Sequence, residues 1–271
     1  MMIVIAIAEW SVVAFGLLLL AFQLIAQEFG FWVGKKHRTR GQAASEGVNV
    51  VVGGMLALLA FVLALTLSFA NNRYSERRMG TLQETNAIGT AWLRASAIDH
   101  PRSSAIAHLL EDYTRVRQEF VQAGRDPASL DDINQRTNNL QSQIWGHLTA
   151  LLREQPNVVT TNLMASLNDV FDMTTAERFA YDLRLPPQIF WLLIGMTMLS
   201  MAALGYQLGL RDHSVRMLVL LLTTMWTVVI VDTLDLAAAR IGTFRASTSV
   251  YDWTLDGFSG GVTIPPLPNR P

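Results

Sequence analysis

The stretch that decides the fold is Val50–Ala70, VVVGGMLALLAFVLALTLSFA, which runs without a break into Asn71–Arg78, NNRYSERR. About 20 apolar residues rising about 1.5 Å each are enough to cross a hydrocarbon core of roughly 30 Å. The chain is therefore read as membrane-integral. Hydropathy predicts four spans, at Ile3–Ala26, Asn49–Ala70, Pro187–Leu210 and Val215–Leu236. Arranged as two hairpins, with loops at Gly34–Glu46 and Arg211–Ser214, they place both termini and the central segment on one side of the bilayer. The expected fold is all-α: residues 1–70 form one transmembrane hairpin and 186–236 a second. An extramembrane helical bundle, 71–185, is inserted between spans two and three, and an irregular tail fills 237–271.

Composition agrees with this reading. Of the 271 residues, 51% are apolar and only 16% charged, and the apolar excess is concentrated in blocks. A net charge of −1 and the lack of a long basic run give no reason to expect a nucleic acid partner. There are no cysteines, which excludes disulfides, thiolate metal sites and cysteine nucleophiles. The five histidines, His37, His100, His108, His147 and His213, show no metal-ligand spacing. No metal, cofactor or catalytic group is expected, and the chain is not read as an enzyme. Ile3–Ile25 lacks a basic leader and is too long for the apolar core of a signal peptide, so it is read as a retained span.

The central segment is polar, Pro-punctuated and helical in period. The second span is expected to continue through Met79, Leu82, Ile88, Ala91 and Trp92, and to break at Asp99-His100-Pro101. A second helix carries Ile106, Leu109, Leu110, Tyr113, Val116 and Phe120 and stops at Gly124. Asp126-Pro127 opens a third, through Leu130, Ile133, Leu140, Ile144, Leu148 and Leu151. A fourth follows Pro156-Asn157, with Leu163, Leu167, Val170, Phe171 and Phe179. Thr243–Phe258 is β-branched and aromatic, and predicts a short irregular or strand-like piece before a Gly/Pro-rich end.

Sidedness follows from the basic residues. Lys35, Lys36, Arg38 and Arg40 crowd the first hairpin loop, with Arg211 and Arg216 at the second. Short basic loops face the cytoplasm, which puts the helical domain on the non-cytoplasmic side. Against this, Arg73, Arg77, Arg78, Arg178, Arg184, Arg240 and Arg245 lie near the opposite membrane ends.

Two runs carry a family resemblance. Leu63–Ala70 followed by Arg73-Tyr74 and Arg77-Arg78 is similar to the span-two exit of the bacterial bestrophin-like domain family. The run Glu84–Ala95, with Glu84, Asn86, Gly89 and Arg94, resembles that family's most distinctive stretch. Weaker similarity lies in Glu28–Gly34, Leu167–Val170 and Leu204–Tyr206. The resemblance implies a bacterial inner-membrane, multi-pass protein related at a distance to bestrophin anion channels, which are pentamers with a pore lined by the second span. It also implies a bilayer-embedded homo-oligomer that passes small ions, with its helical domain cytoplasmic, opposite to the charge-density reading. Ala237–Arg240 departs from the charged, Pro-containing turn expected of the family.

The second span carries two stripes. Gly53, Ala57, Ala60, Ala64 and Ser68 form a line of small residues that lets neighbouring helices approach. About 100° away, Phe61, Leu65 and Phe69 share one face at i, i+4 and i+8. In a ring of subunits these three would make an apolar constriction that gates by dewetting. They resemble the three-residue neck of bestrophins, with Leu65 in place of an aromatic; as plain packing surfaces they would face other helices or lipid. Asp232 and Asp235 close span four on the side where Arg73, Arg77 and Arg78 leave span two. These five are either a structural set of ion pairs or the charges of a pore mouth. Glu9 is expected to snorkel at the interface, and Glu84 to form a salt bridge within the bundle. The leading reading is an oligomeric ion channel. The alternative is a membrane-anchored sensor or scaffold whose helical domain binds a partner.

Overall fold

The computed structural model describes residues 12–38, 42–183, 187–211, 215–240, 242–263 and 265. Every regular element among them is helical: α1 (Val12–His37), α2 (Gln42–Ser96), α3 (Pro101–Gln122), α4 (Pro127–Glu154), α5 (Val158–Asp182), α6 (Pro187–Arg211), α7 (Arg216–Ala237) and α8 (Ser249–Ser259). Four of them, α1, α2, α6 and α7, have a stretch long and apolar enough to cross a membrane. The chain divides into two compact units. One is Met1–Tyr74 with Arg184–Phe244, and the other Ser75–Leu183 with Arg245–Pro271.

In the first unit, Phe15 and Leu19 of α1, Leu59 and Leu63 of α2, Leu193 of α6 and Ile230 of α7 form one buried cluster. Residues 3–11 of the expected first span, including Glu9, lie outside the described residues, as do Arg40, Arg184 and 212–214 of the second loop. The expected loop at Gly34–Glu46 is corrected: α1 continues to His37 and α2 begins at Gln42. Lys35, Lys36 and His37 occupy the last turn of α1, where cations offset the partial negative charge of a helix end.

Gly34 belongs inside the helix because the backbone of α6 lies against it. A Cβ on Gly30 would overlap the Ala202 carbonyl, and one on Gly34 the Tyr206 carbonyl. The relation is reciprocal: Gly205 faces the Gln27 carbonyl and Gly209 the Phe31 carbonyl. Two glycine pairs at four-residue spacing thus bring α1 and α6 into backbone contact, in the same direction along both helices. Dispersion between close backbones holds helices together where no hydrophobic drive acts between them. Gly53 and Gly54 differ, since among the described residues nothing beyond their own stretch of helix lies within 4 Å of a Cβ placed there.

The second unit follows the sequence closely. Asp126 caps α4 by accepting from the Ser129 amide at 3.0 Å, and Pro127 sits in its first turn. Asn157 caps α5 in a capping box with Thr160. Ile88, Ile106, Leu110, Ile144, Leu148, Leu151, Leu163 and Leu167 are fully buried in this unit.

Two expectations are corrected here. Met79 and Leu82 of α2 are exposed because its buried line in this unit runs through Arg77, Thr81, Glu84, Thr85 and Ile88, and Phe179 of α5 is exposed as well. The tail is not wholly irregular: Ser249–Ser259 is a helix with Tyr251 and Phe258 buried, and the Phe258 ring stacks on Trp92 at 4.7 Å.

The glycine contacts make a sharp contrast. Gly205→Ala and Gly30→Ala should each destabilise the detergent-solubilised protein by about 1–3 kcal/mol, the usual cost of overpacking. Gly53→Ala should be neutral, or stabilise by up to about 1 kcal/mol through helix propensity. Thermal unfolding of the three variants beside the native protein measures this; equal shifts would remove the backbone contact as the cause.

Candidate functional site

On α2 the buried positions of the apolar stretch are Val52, Leu59, Leu63 and Ala70. The opposite face is open within the chain. Phe61, Leu65 and Phe69 are 61%, 55% and 41% exposed, and Gly53, Ala57, Ala60, Ala64 and Ser68 are exposed beside them. The helix buries one leucine line against α1, α6 and α7 and leaves both stripes unburied by its own chain. The aromatic line ends under a cation: the Arg73 guanidinium lies 4.9 Å from the Phe69 ring centroid, one turn further along.

The two aspartates at the end of α7 separate. Asp232 is exposed, whereas Asp235 is buried and accepts from the Thr243 amide at 3.0 Å and the Thr243 hydroxyl at 2.7 Å. Gly242 makes this possible. Its φ of +72° turns the chain back, and a side chain there would run into the Asp235 carboxylate. Arg78 is exposed and Arg77 is buried.

Glu84 leads to a second constellation, inside the helical domain. Arg117 on α3, fully buried, donates through Nε to Glu84 Oε1 at 2.7 Å and through Nη2 to Glu177 Oε2 at 3.1 Å. Its guanidinium also stacks on Phe120, 4.3 Å from the ring centroid. Thr174 donates to Glu84 Oε1 at 2.7 Å, and Thr81 to Glu177 Oε1 at 2.7 Å. The Tyr251 hydroxyl of α8 donates to Glu84 Oε2 and lies 3.2 Å from Glu177 Oε2. Tyr113 joins Thr174 at 2.6 Å and accepts from Gln141 Nε2 at 2.9 Å. Three helices, α2, α3 and α5, and the tail helix α8 therefore meet on one guanidinium and two carboxyl groups.

One arginine cannot neutralise two carboxylates in a dry core, so the pair splits. Burial pushes the Glu84 carboxyl up, but Arg117 and the surrounding donors outweigh it and hold Glu84 below the usual carboxylate range. Glu177 goes the other way. Burial first, then the neighbouring Glu84 charge, raises it well above its ordinary value. The lowered Glu84 favours the ionised form and the raised Glu177 the protonated one. Burial and the Glu84 charge also push the Tyr113 phenol up to about 12 and raise Tyr251 well above its usual value, so both remain donors.

The other residues of the Glu84 run do different work. Arg94 donates to the Asn162 carbonyl at 2.9 Å and to the Ser166 hydroxyl. Asn86 is exposed and Gly89 adjoins open space. Arg117, Glu177 and Tyr251 were not singled out from the sequence. Their signal is present: Tyr113, Arg117 and Phe120 share one helical face, as do Thr174, Glu177 and Tyr181, so charges of opposite sign occupy core positions. Among the described residues no group of three or more His, Cys, Asp or Glu side chains could hold a metal ion.

Comparison with known proteins places the chain. A Bestrophin-like domain profile matches residues 18–251. No curated protein matches. The crystal structure of a bacterial bestrophin homologue from Klebsiella pneumoniae is similar in fold, with a TM-score of 0.61 at 13% identity, covering 92% of this chain and 98% of that one.

Arg117 and Glu177 test the charge assignment. Arg117→Met, which strands a buried carboxylate, should cost about 3–5 kcal/mol. Glu177→Gln replaces a neutral acid by a neutral amide and should cost less than about 1.5 kcal/mol near neutral pH. The depressed Glu84 contributes stability that is present above its unfolded value and lost as pH falls through its folded one. The raised Glu177 contributes stability that is present below its unfolded value and lost as pH rises through its folded one. Denaturant titration against pH in both variants reads these signs. Equal costs for the two substitutions at neutral pH would reject the assignment.

Proposed function

This chain belongs to the bestrophin-like domain family, and we propose that it is an oligomeric ion channel whose pore is lined by α2. The observation that supports this most is the open face of α2. Phe61, Leu65 and Phe69 form one line on the side turned away from the buried leucines, with small residues next to it. In a ring of copies, pentameric by the family resemblance, the small residues let neighbouring α2 helices approach. The three large side chains then converge on the axis. A constriction lined only by such groups is closed to hydrated ions by dewetting and opens when it widens. Arg73, held over Phe69, sets positive charge beside the end of the constriction, and the exposed Asp232, on the same side of the membrane in the two-hairpin reading, adds negative charge; their balance would tune ion preference. In this reading the spans form two hairpins about the inserted bundle, in a bacterial inner membrane.

A second reading has its own observation. Trp145 on α4, together with Val158, Val159 and Phe179 of α5, exposes apolar surface on the helical domain. A membrane-anchored scaffold would use that surface for a partner protein, and α2 would then conduct nothing.

The discriminating measurement is current through purified protein in planar bilayers under a salt gradient. The native channel should carry a current with a defined reversal potential. Phe61→Ala with Phe69→Ala should raise conductance or the open fraction severalfold. No current from a folded, oligomeric preparation of either protein would favour the scaffold. Native-like current from the double variant would move the constriction elsewhere.

A further inference from the structure

The buried charge cluster holds more than the bundle core. Of the elements that meet there, α8 is the shortest, with 11 residues, below the length at which an isolated helix is stable in water. Its attachment to the bundle is narrow. Tyr251 reaches the carboxyl pair, Phe258 stacks on Trp92, Asp252 accepts from Gln118 at 2.6 Å, and Thr248 accepts from Gln122 at 3.1 Å. The last two bonds are exposed and contribute little. The Tyr251 hydroxyl bonds to both carboxyl groups, so lifting α8 takes that donor from both.

We infer that this cluster is a proton-operated latch: Tyr251 holds α8 on the helical domain while Glu177 keeps its proton, and loss of that proton releases α8. The groups facing the Tyr251 hydroxyl account for the direction. From α2 comes the Glu84 carboxylate, with Arg77 buried one turn before Thr81 on the same helix. From α3 come Arg117 and, through Thr174, Tyr113. From α5 comes Glu177, and α8 itself adds Tyr251 and the exposed Asp252. With Glu177 neutral, the Arg117 and Glu84 charges cancel. With Glu177 ionised, a second carboxylate shares the same guanidinium in a site closed to water, and two like charges there are costly. Lifting α8 hydrates both carboxylates without breaking the longer helices, so the opening is local rather than global.

The test uses the full chain in lipid nanodiscs. The native sequence has no cysteine, so one introduced cysteine carries a nitroxide label. Asp256→Cys on the exposed side of α8 reports release, and Asn138→Cys on α4 reports the bundle. Between the ordinary carboxylate range and the raised pKa of docked Glu177, the ratio of mobile to immobile signal at 256 should rise about tenfold per pH unit, the slope for release of one proton, and level off above it. The label at 138 should stay unchanged. In Glu177→Gln the ratio at 256 should be flat with pH. In Tyr251→Phe it should already be high at acid pH. A flat native profile, the same slope in Glu177→Gln, a docked α8 in Tyr251→Phe, or simultaneous loosening at 138 would each overturn the latch.

Discussion

A polar group cut off from water must find its partner inside the fold, and both units of this chain are built around that constraint. In the apolar unit the backbone satisfies itself by being helical, and side-chain hydroxyls fall back on the same helix. Thr197, Thr223, Thr227 and Thr233 each donate to the carbonyl four residues earlier. Asp235, at the end of α7, is met by the turn at Gly242-Thr243 instead of being left bare. In the helical domain the constraint produces the Arg117 cluster, which replaces part of the hydrophobic core by a network in which one proton decides the charge balance. A network of this kind specifies a unique arrangement because each member has few alternatives.

The same constraint explains why the two units use different packing. Around Arg117 the contacts are directional, so α2, α3, α5 and α8 are registered by hydrogen bonds. Between α1 and α6 no side chain mediates the closest approach. Gly30, Gly34, Gly205 and Gly209 remove the side chains altogether, and the backbones touch. Burying apolar surface is a weak guide to helix choice in a lipid environment, so close shape fit takes over. That fit is absent along the outer face of α2 among the described residues, where Gly53 adjoins open space and the alanines after it are exposed. The proposed ring of subunits is the arrangement that would use this face.

Much of the fold was legible in the sequence. The apolar blocks marked the four candidate spans, and Pro, Gly, Asp126 and Asn157 marked the helix ends in the helical domain, because capping and breaking act over only a few residues. Glu84 drew attention as a charge within a distinctive run, and its place in a salt bridge is what the structure shows. The expected face of α2 at Met79 and Leu82 was wrong for an instructive reason. Periodicity assigns apolar residues to the interior, but here Thr81, Glu84 and Thr85 occupy it: Thr81 and Glu84 find partners on α3, α5 and α8, and Thr85 donates back to its own helix.

The sequence by itself determined that the chain crosses a membrane, that it is helical, and where most helices begin and end, since these depend on local propensity and on transfer from water to lipid. Tertiary structure alone decided which helices touch, that α1 and α6 share a backbone seam, that the tail contains a helix, and that Glu84 is pulled down while Glu177 is pushed up. Those outcomes turn on groups far apart in the chain. Glu84 and Tyr251 are 167 residues apart, and no window along the sequence contains both the carboxylate and the hydroxyl that covers it.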